Sequence, residues 1–378
     1  MPSRWFRLSC ALLAMAAGVP SLSAQRWQVQ YFYDKSDSTL EIRDFRFVSA
    51  ARGLAVGEIE EKNRHRSVEL ITADGGAHWE MIPLHEPPVS LFFINENLGW
   101  LATAKSIWVT TEAGRSWRKL PKSPEGALRV YFLDEQNGFA VGIRKLAMAT
   151  HDGGEHWAPI PEAANQPGDF HYSAYSWIAF ATPLMGIVTG WNLPPDPTAP
   201  KQPLWMDPEA TFKHRERPHL ALSIQTNDGG KTWKPSSSST LGTIARVRFA
   251  KPGAGLGMGL VEYSESFEFP SEVFRIGADG RSETIYRDKK VAVTDVWLAQ
   301  DGTAYLVGAL HASPVRDILP GKIQVFKGQA STAKFGDPEA WTPLEVDYRA
   351  VAKGALLAEG GGQLWMATDS GMILKLVP

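Results

Sequence analysis

TADGGAHW at residues 72–79 returns as TTEAGRSW at 110–117, THDGGEHW at 150–157 and TNDGGKTW at 226–233. Each copy reads threonine, any residue, an acid, a small residue, glycine, two variable residues and tryptophan. That is the chemistry of a tight turn between two strands. The acid (Asp74, Glu112, Asp152, Asp228) is expected to accept hydrogen bonds from backbone N–H groups two or three residues on. The second glycine (Gly76, Gly114, Gly154, Gly230) supplies a backbone angle that residues with side chains resist. The tryptophan (Trp79, Trp117, Trp157, Trp233) opens the next strand and buries a large ring. Successive acids stand 38, 40 and 76 residues apart, a period near 40 with one doubled or interrupted interval. Self-similarity at that period marks a repeat architecture such as a β-propeller.

Around each turn a four-strand unit can be read. An alternating strand comes first, then a glycine-led hydrophobic strand, a third strand, the turn, and a last strand opened by tryptophan. The first unit is 42–59 with 67–84, the second 89–120 and the third 128–160. A fourth begins at 175–191 and is interrupted by the proline-rich insertion 192–218, which cannot be a regular strand. The fifth, from 244, has a decayed turn, GADGRSET (277–284), with Thr284 in the tryptophan position. The sixth, from 293, carries insertions at 311–322 and 327–340, after which Trp341 opens the last strand. The seventh, 349–378, has three strands only. Its missing strand is supplied by RWQVQYFYD (26–34), which closes the ring and removes open sheet edges. The expectation is an all-β chain: a seven-bladed propeller of four-stranded blades, its last blade closed by the N-terminal strand.

The chain opens MPSRWFRLSCALLAMAAGVPSLSAQ, in which Arg4 and Arg7 precede a short apolar run and then small residues. This reads as a secretory signal peptide over 1–24, leaving 25–378 as one exported domain, periplasmic or secreted. Cys10 is the only cysteine and precedes the apolar run, so a lipid-anchored cysteine is a poor reading. A mature chain without cysteine excludes disulfides, thiol nucleophiles and thiolate metal sites. Without the leader, 37 basic side chains face 41 acidic ones, which argues against nucleic acid as a partner. No later window is long and apolar enough to span a membrane.

The pattern F-x5-G-x-A-x-G followed by T-x-D-G-G-x-x-W resembles the BNR/Asp-box repeat propellers. Within them it is most similar to the exported photosystem II stability and assembly factor family. The resemblance covers essentially the whole mature chain and implies a non-catalytic assembly scaffold for membrane complexes. The repeated turn itself specifies architecture and leaves function open, because sialidases and other glycosidases use it too.

On four-stranded blades the repeated turns lie at one end of the ring, and the long connections at 58–67, 161–175, 192–218, 261–272 and 311–322 lie at the other. Loops on a rigid frame are where binding concentrates. The candidate contacts there are the aromatic residues Trp191, Trp205, Phe212, Tyr263 and Phe267, and the basic residues His214, Arg215, Arg217, His311 and Arg316. The bland reading is loop growth that a repeat frame tolerates. A sialidase-like site would need three converging arginines and a Tyr–Glu pair. FRF (45–47) and FRIG (274–277) lack the family's first-arginine pattern, and Glu262, Glu265 and Glu268 beside Tyr263 read as solvated acids. No histidine pair has metal-ligand spacing on one element, so neither metal nor cofactor is expected. The reading is therefore a monomeric, non-catalytic protein-binding scaffold. The alternative is a carbohydrate-active propeller, either lectin or glycosidase.

Overall fold

The computed structural model of the chain describes residues 25–197, 206, 217–250, 255–263, 268–311 and 319–378. The leader, with Cys10, lies outside the described residues, and so do Trp205, Phe212, His214, Arg215, Phe267 and Arg316. Strand β1 is Arg26–Phe32. The first sheet is β2 (Ser38–Phe47), β3 (Gly53–Glu61), β4 (Arg64–Thr72) and β5 (Glu80–Pro83). The second is β6 (Pro88–Phe93), β7 (Gly99–Thr103), β8 (Ile107–Thr110) and β9 (Arg118–Lys119). The third is β10 (Ala127–Phe132), β11 (Gly138–Gly142), β12 (Leu146–Thr150) and β13 (Ala158–Pro159). A one-turn helix, α1 (Pro161–Ala164), and a 3-10 turn at Phe170–Tyr172 lead to the fourth sheet.

That sheet is β14 (Ser173–Phe180), β15 (Gly186–Asn192), β16 (His219–Thr226) and β17 (Lys234–Thr240). The fifth is β18 (Gly242–Phe249), β19 (Gly257–Tyr263), β20 (Ser271–Ile276) and β21 (Ser282–Arg287). The remaining strands are β22 (Val291–Leu298), β23 (Thr303–Leu310), β24 (Gly321–Gln329), β25 (Trp341–Val346), β26 (Val351–Ala352), β27 (Ala355–Gly360), β28 (Gln363–Thr368) and β29 (Met372–Val377). They form one nine-stranded sheet with β1, ordered β22-β23-β24-β25-β1-β29-β28-β27, with β26 attached to β24. All its neighbours are antiparallel except β25 and β1, which run parallel over Arg26↔Glu345 and Trp27↔Val346. The N-terminal strand thus pairs with the C-terminal one, as expected from 26–34.

First strands touch in sequence: β2, β6, β10, β14, β18, β22, β27, and back to β2. They line the axis of a propeller, and later strands step outward. Two glycine positions explain the recurring motif. A Cβ at Gly53, Gly99, Gly138 or Gly186 would strike the ring of Phe47, Phe93, Phe132 or Phe180, which ends the preceding strand. The turn tryptophan then packs edge-on against that phenylalanine, with interplanar angles of 85°, 71°, 77° and 82° for Trp79, Trp117, Trp157 and Trp233. Trp365 stacks on Phe47 at 4.0 Å and Trp100 on Phe132 at 3.6 Å, joining adjacent sheets. These aromatic contacts are the core of the first four sheets.

Some local expectations are corrected. Residues 58–67 are not an irregular loop: β3 and β4 run on through them, and Lys62 and Asn63 alone make the turn, at φ 48° and 65°. Two left-handed residues match the twist of a tight hairpin. The decayed turn at 277–284 is shorter than the others. Thr284 lies within β21 opposite Phe274, and its hydroxyl donates to Glu272.

Candidate functional site

The repeated turns are closed internally. Thr72, Thr150 and Thr226 accept from the glycine N–H four residues on, at 3.0, 2.9 and 2.8 Å, and donate to Asp74, Asp152 and Asp228. Each aspartate in turn accepts the N–H four residues on, from His78, His156 or Thr232. The bonds therefore reach further than the expected two or three residues, because two successive left-handed residues lengthen the turn. Chiefly through the backbone N–H of His78 and of His156, Asp74 and Asp152 are held at about 2. The Thr232 side chain holds Asp228 at about 2 as well. Glu112 departs from the pattern: its carboxylate accepts from the Ser116 hydroxyl at 2.6 Å.

Of the described loop-end candidates, Trp191 is a half-buried residue of β15, opposite Ala174 and Ala221. Arg217 stands 3.8 Å from Asp196. Tyr263 ends β19 and donates to Glu272 at 2.6 Å, and burial pushes its hydroxyl up to about 12. The His311 N–H donates to the Lys290 carbonyl. They belong to three different units, and none lines the cavity on the axis.

That cavity has a volume of about 700 Å³ and is built by a bulge repeated in the first strands. Register slips between Ile42 and Asp44, Pro88 and Ser90, Ala127 and Arg129, Tyr175 and Trp177, Ile244 and Arg246, and Val293 and Asp295. Opposite four of these slips sit Gly57, Gly142, Gly190 and Gly308, where a Cβ would land on the carbonyl oxygen of Glu41, Gly126, Ala174 or Ala292. Glycine admits the bulge, and the bulge re-aims the next residue. By the two-residue period, the residue two further on shares its face. Asp44 and Arg46, Arg246 and Arg248, and Asp295 and Trp297 are such pairs, with Arg129 and Trp177 at the bulge positions of β10 and β14.

Two carboxylates organise four guanidinium groups here. Asp44 accepts the N–H groups of Phe45 and Leu91, each at 2.9 Å, and meets Arg46 and Arg129 at 3.0 Å. Asp295 repeats the arrangement with the N–H groups of Val296 and Leu357, each at 2.9 Å. Arg248 stands at 3.1 Å from its carboxylate and Arg246 at 3.6 Å. Arg129, Arg246 and Arg248 lie 5.1, 4.7 and 5.4 Å from the ring of Trp177, whose indole N–H is held by the Val247 carbonyl at 2.8 Å. Burial draws Arg129 down to about 10, with Asp44 opposing the shift, so it is still a cation at neutral pH. Around Trp177 four arginines face two aspartates, a local excess of positive charge that Asp301 and Glu359 offset at the rim of the partly apolar channel. Phe92, Tyr131, Phe180 and Trp297 form its aromatic walls.

The mouth carries Gln300, Asp301 and Glu359, in or beside the turns joining first to second strands. The repeated turns pack on turns of that same kind, through Gly75 N–H to Ala51 O at 2.8 Å and Gly153 N–H to Gln136 O at 2.9 Å. The cavity therefore opens at the repeated-turn end, opposite the long connections that the sequence singled out. Its arginines were written into the sequence at one and three residues before the strand-ending phenylalanine, in FRF, LRVYF and RVRF. Within its own strand each arginine is part of an ordinary alternation, and the shared face appears only when the first strands close round the axis.

No family model matches the chain. The photosystem II assembly lipoprotein Ycf48 of Synechococcus sp. (strain CC9902) is 24% identical over 191 residues, 47% of this chain and 57% of that protein. The chain thus spans little more than half the length of this relative. Among solved structures, YCF48 bound to D1 peptide superposes with a TM-score of 0.55 at 15% identity, covering 93% of this chain and all of that one. YCF48 from Cyanidioschyzon merolae gives 0.56 at 15% identity over 94% of this chain and 99% of its own. A GH74 xyloglucanase from Xanthomonas campestris gives 0.52 at 10% identity, over 85% of this chain and 55% of its own. At these identities the structural likenesses establish the propeller fold.

Proposed function

We propose that this chain is an exported, seven-bladed propeller of the Asp-box kind that acts as a non-catalytic assembly scaffold, similar in role to the photosystem II assembly factors. It holds an acidic segment of a protein partner in the axial channel. The closed sequence of first-strand contacts supports the blade count, and the hydrogen-bonded T-x-D-G-G-x-x-W turns support the Asp-box reading. The functional reading is carried by the guanidinium groups gathered around Trp177 at the floor of the channel, where they outnumber the two aspartates that hold them. Charge-assisted, fork-shaped donors facing an open mouth select a carboxylate-bearing chain. A solved YCF48 with a D1 peptide bound is consistent with a peptide ligand for this shape.

Catalysis is disfavoured by how the channel acids are used. Asp44 and Asp295 are each held by two backbone N–H groups and two arginines, so both carboxylates serve to position the guanidinium groups. The Tyr263–Glu272 pair lies away from the channel lining. The aromatic walls favour a sugar as the second reading. Titration of the protein with an acidic peptide and with a xyloglucan oligosaccharide separates the two. Arg46→Gln with Arg248→Gln should weaken peptide binding about tenfold or more while the fold is retained. Unchanged peptide affinity, or saturable binding of the sugar alone, removes the scaffold reading.

A further inference from the structure

Charge changes sign along the axial channel. Counted back from the residue that ends each first strand, two positions face the axis. Three places back are Asp44 on β2, Arg129 on β10, Trp177 on β14, Arg246 on β18 and Asp295 on β22. One place back are Arg46, Phe92, Tyr131, Arg248 and Trp297, a layer nearer the mouth. Nearer still, the charged residues among the described lining are Asp301 and Glu359. Asp301 lies in the turn after β22. Leu357 donates to Asp295 as Leu91 donates to Asp44, which sets Glu359 level with Phe93 at the strand end. Through the amides of Thr303 and Gly362, which they accept, both carboxylates are fixed at the level of the turns.

The two acids also share one sector of the ring. From β18, which carries Arg248, the next first strands are β22 and β27, and then β2, which carries Arg46. Asp301 and Glu359 therefore stand over the arc between the two upper arginines. Beneath them are Trp297, on whose ring Arg248 packs at 5.0 Å, and Ala358, whose small side chain leaves room. The Thr303 amide chiefly, and Lys327 to a smaller degree, hold the Asp301 carboxyl below its usual range, so it is charged at neutral pH. Lys327 itself donates to Gln25 at 2.9 Å.

We propose that the channel selects a segment of mixed charge: an acidic side chain at the level of Arg46 and Arg248, and a lysine or arginine two or three residues away, at the rim against Asp301 and Glu359. This rests on the reading of the channel as a peptide site and names the segment it takes. The strand rise puts the rim about 7–10 Å above the upper arginines, a span that an extended segment covers in two or three residues. A uniformly acidic segment is repelled at the rim before its charge reaches the floor, and a uniformly basic one is repelled below. A segment with both signs satisfies both levels, and Trp297 offers an apolar face to the stem of its basic side chain. The rim acids are solvent-exposed or half-buried, so they act on the choice of partner more than on the strength of binding.

The test uses the full chain and capped, fluorescently labelled peptides that differ at one position. Their cores are Lys-Ser-Ser-Glu, Gln-Ser-Ser-Glu and Glu-Ser-Ser-Glu, the first two also in reverse order, and affinity is read by anisotropy at low salt. In one of the two orders the lysine peptide should bind roughly three- to tenfold tighter than its glutamine counterpart, and added salt should close the gap. The doubly acidic peptide should bind no tighter than the glutamine one. Asp301→Asn with Glu359→Gln keeps acceptors for the Thr303 and Gly362 amides and removes both charges. It should weaken the lysine peptide and strengthen the doubly acidic one, whereas structural damage would weaken both. Equal affinity of lysine and glutamine peptides in both orders, a tighter doubly acidic peptide, or parallel losses in the double variant overturns the proposal. Acidic peptides still bind in those outcomes, so the peptide reading stands. Binding of none of the peptides removes that reading, and this inference with it.

Discussion

Glu69 is a fully buried carboxyl whose one hydrogen bond comes from the indole N–H of Trp117, at 2.9 Å. Its other oxygen faces Gly114 of the second repeated turn and has no partner. Burial pushes the group up to about 8, with the Trp117 indole N–H opposing the shift. The folded protein therefore keeps a proton that the unfolded chain, with an ordinary glutamate near 4.5, has released. That contribution to stability is fully present below pH 4.5 and is lost as pH rises through about 8. Glu69→Gln keeps a partner for Trp117 and removes the ionisation. Its melting temperature should match the parent's at pH 4 and exceed it at pH 9, by an amount reflecting about 2–4 kcal/mol. Parallel melting curves across that pH range would show that Glu69 is not a buried neutral acid.

At the scale of one element, the bulge in the first strand connects a glycine to the channel. Gly190 opposes the slip between Tyr175 and Trp177, and Trp177 then points at three arginines. Gly190→Ala should cost about 3 kcal/mol, because the clash is with backbone and no side chain can give way. It should also change the near-ultraviolet circular dichroism of the channel indole. The comparison is Gly280→Ala, at φ 77° with open space around it, which should cost only the left-handed penalty of about 1–2 kcal/mol. Equal losses in the two variants would mean that the bulge is not what the glycine serves. The motif F-x5-G-x-A-x-G was legible as a strand pair in the sequence. The role of its last glycine was not, since a bulge is a relation between two strands and appears only when they are paired.

Across the whole molecule, closure rests on β1. Trp27 is almost completely buried among residues of β24, β28 and β29, and β1 also runs parallel to β25. Trp27→Ala should cost about 3–5 kcal/mol. The amides of β29 should be the first to gain hydrogen exchange, because their outer partner is weakened. A loss of protection centred instead on the second or third sheet would place the seam of the ring elsewhere. The four-strand units, the strand opened by Trp341, and the pairing of the two termini were legible because they follow from periodic local patterns. The strength of the aromatic repeat, with phenylalanine, glycine and tryptophan at fixed spacing, made those patterns readable from single residues.

The sequence by itself determined the all-β repeat, the T-x-D-G-G-x-x-W turns and the strand order within each unit, because turn chemistry and two-residue alternation act between near neighbours. Only the tertiary structure decided where charge converges. Arg46, Arg129, Arg246 and Arg248 come from three units spread over some two hundred residues, and each looks in its own strand like an ordinary alternation. A closed ring brings first strands together that are remote in the chain. Bulges then rotate their charged residues onto one axis, and two buried aspartates hold the resulting cluster.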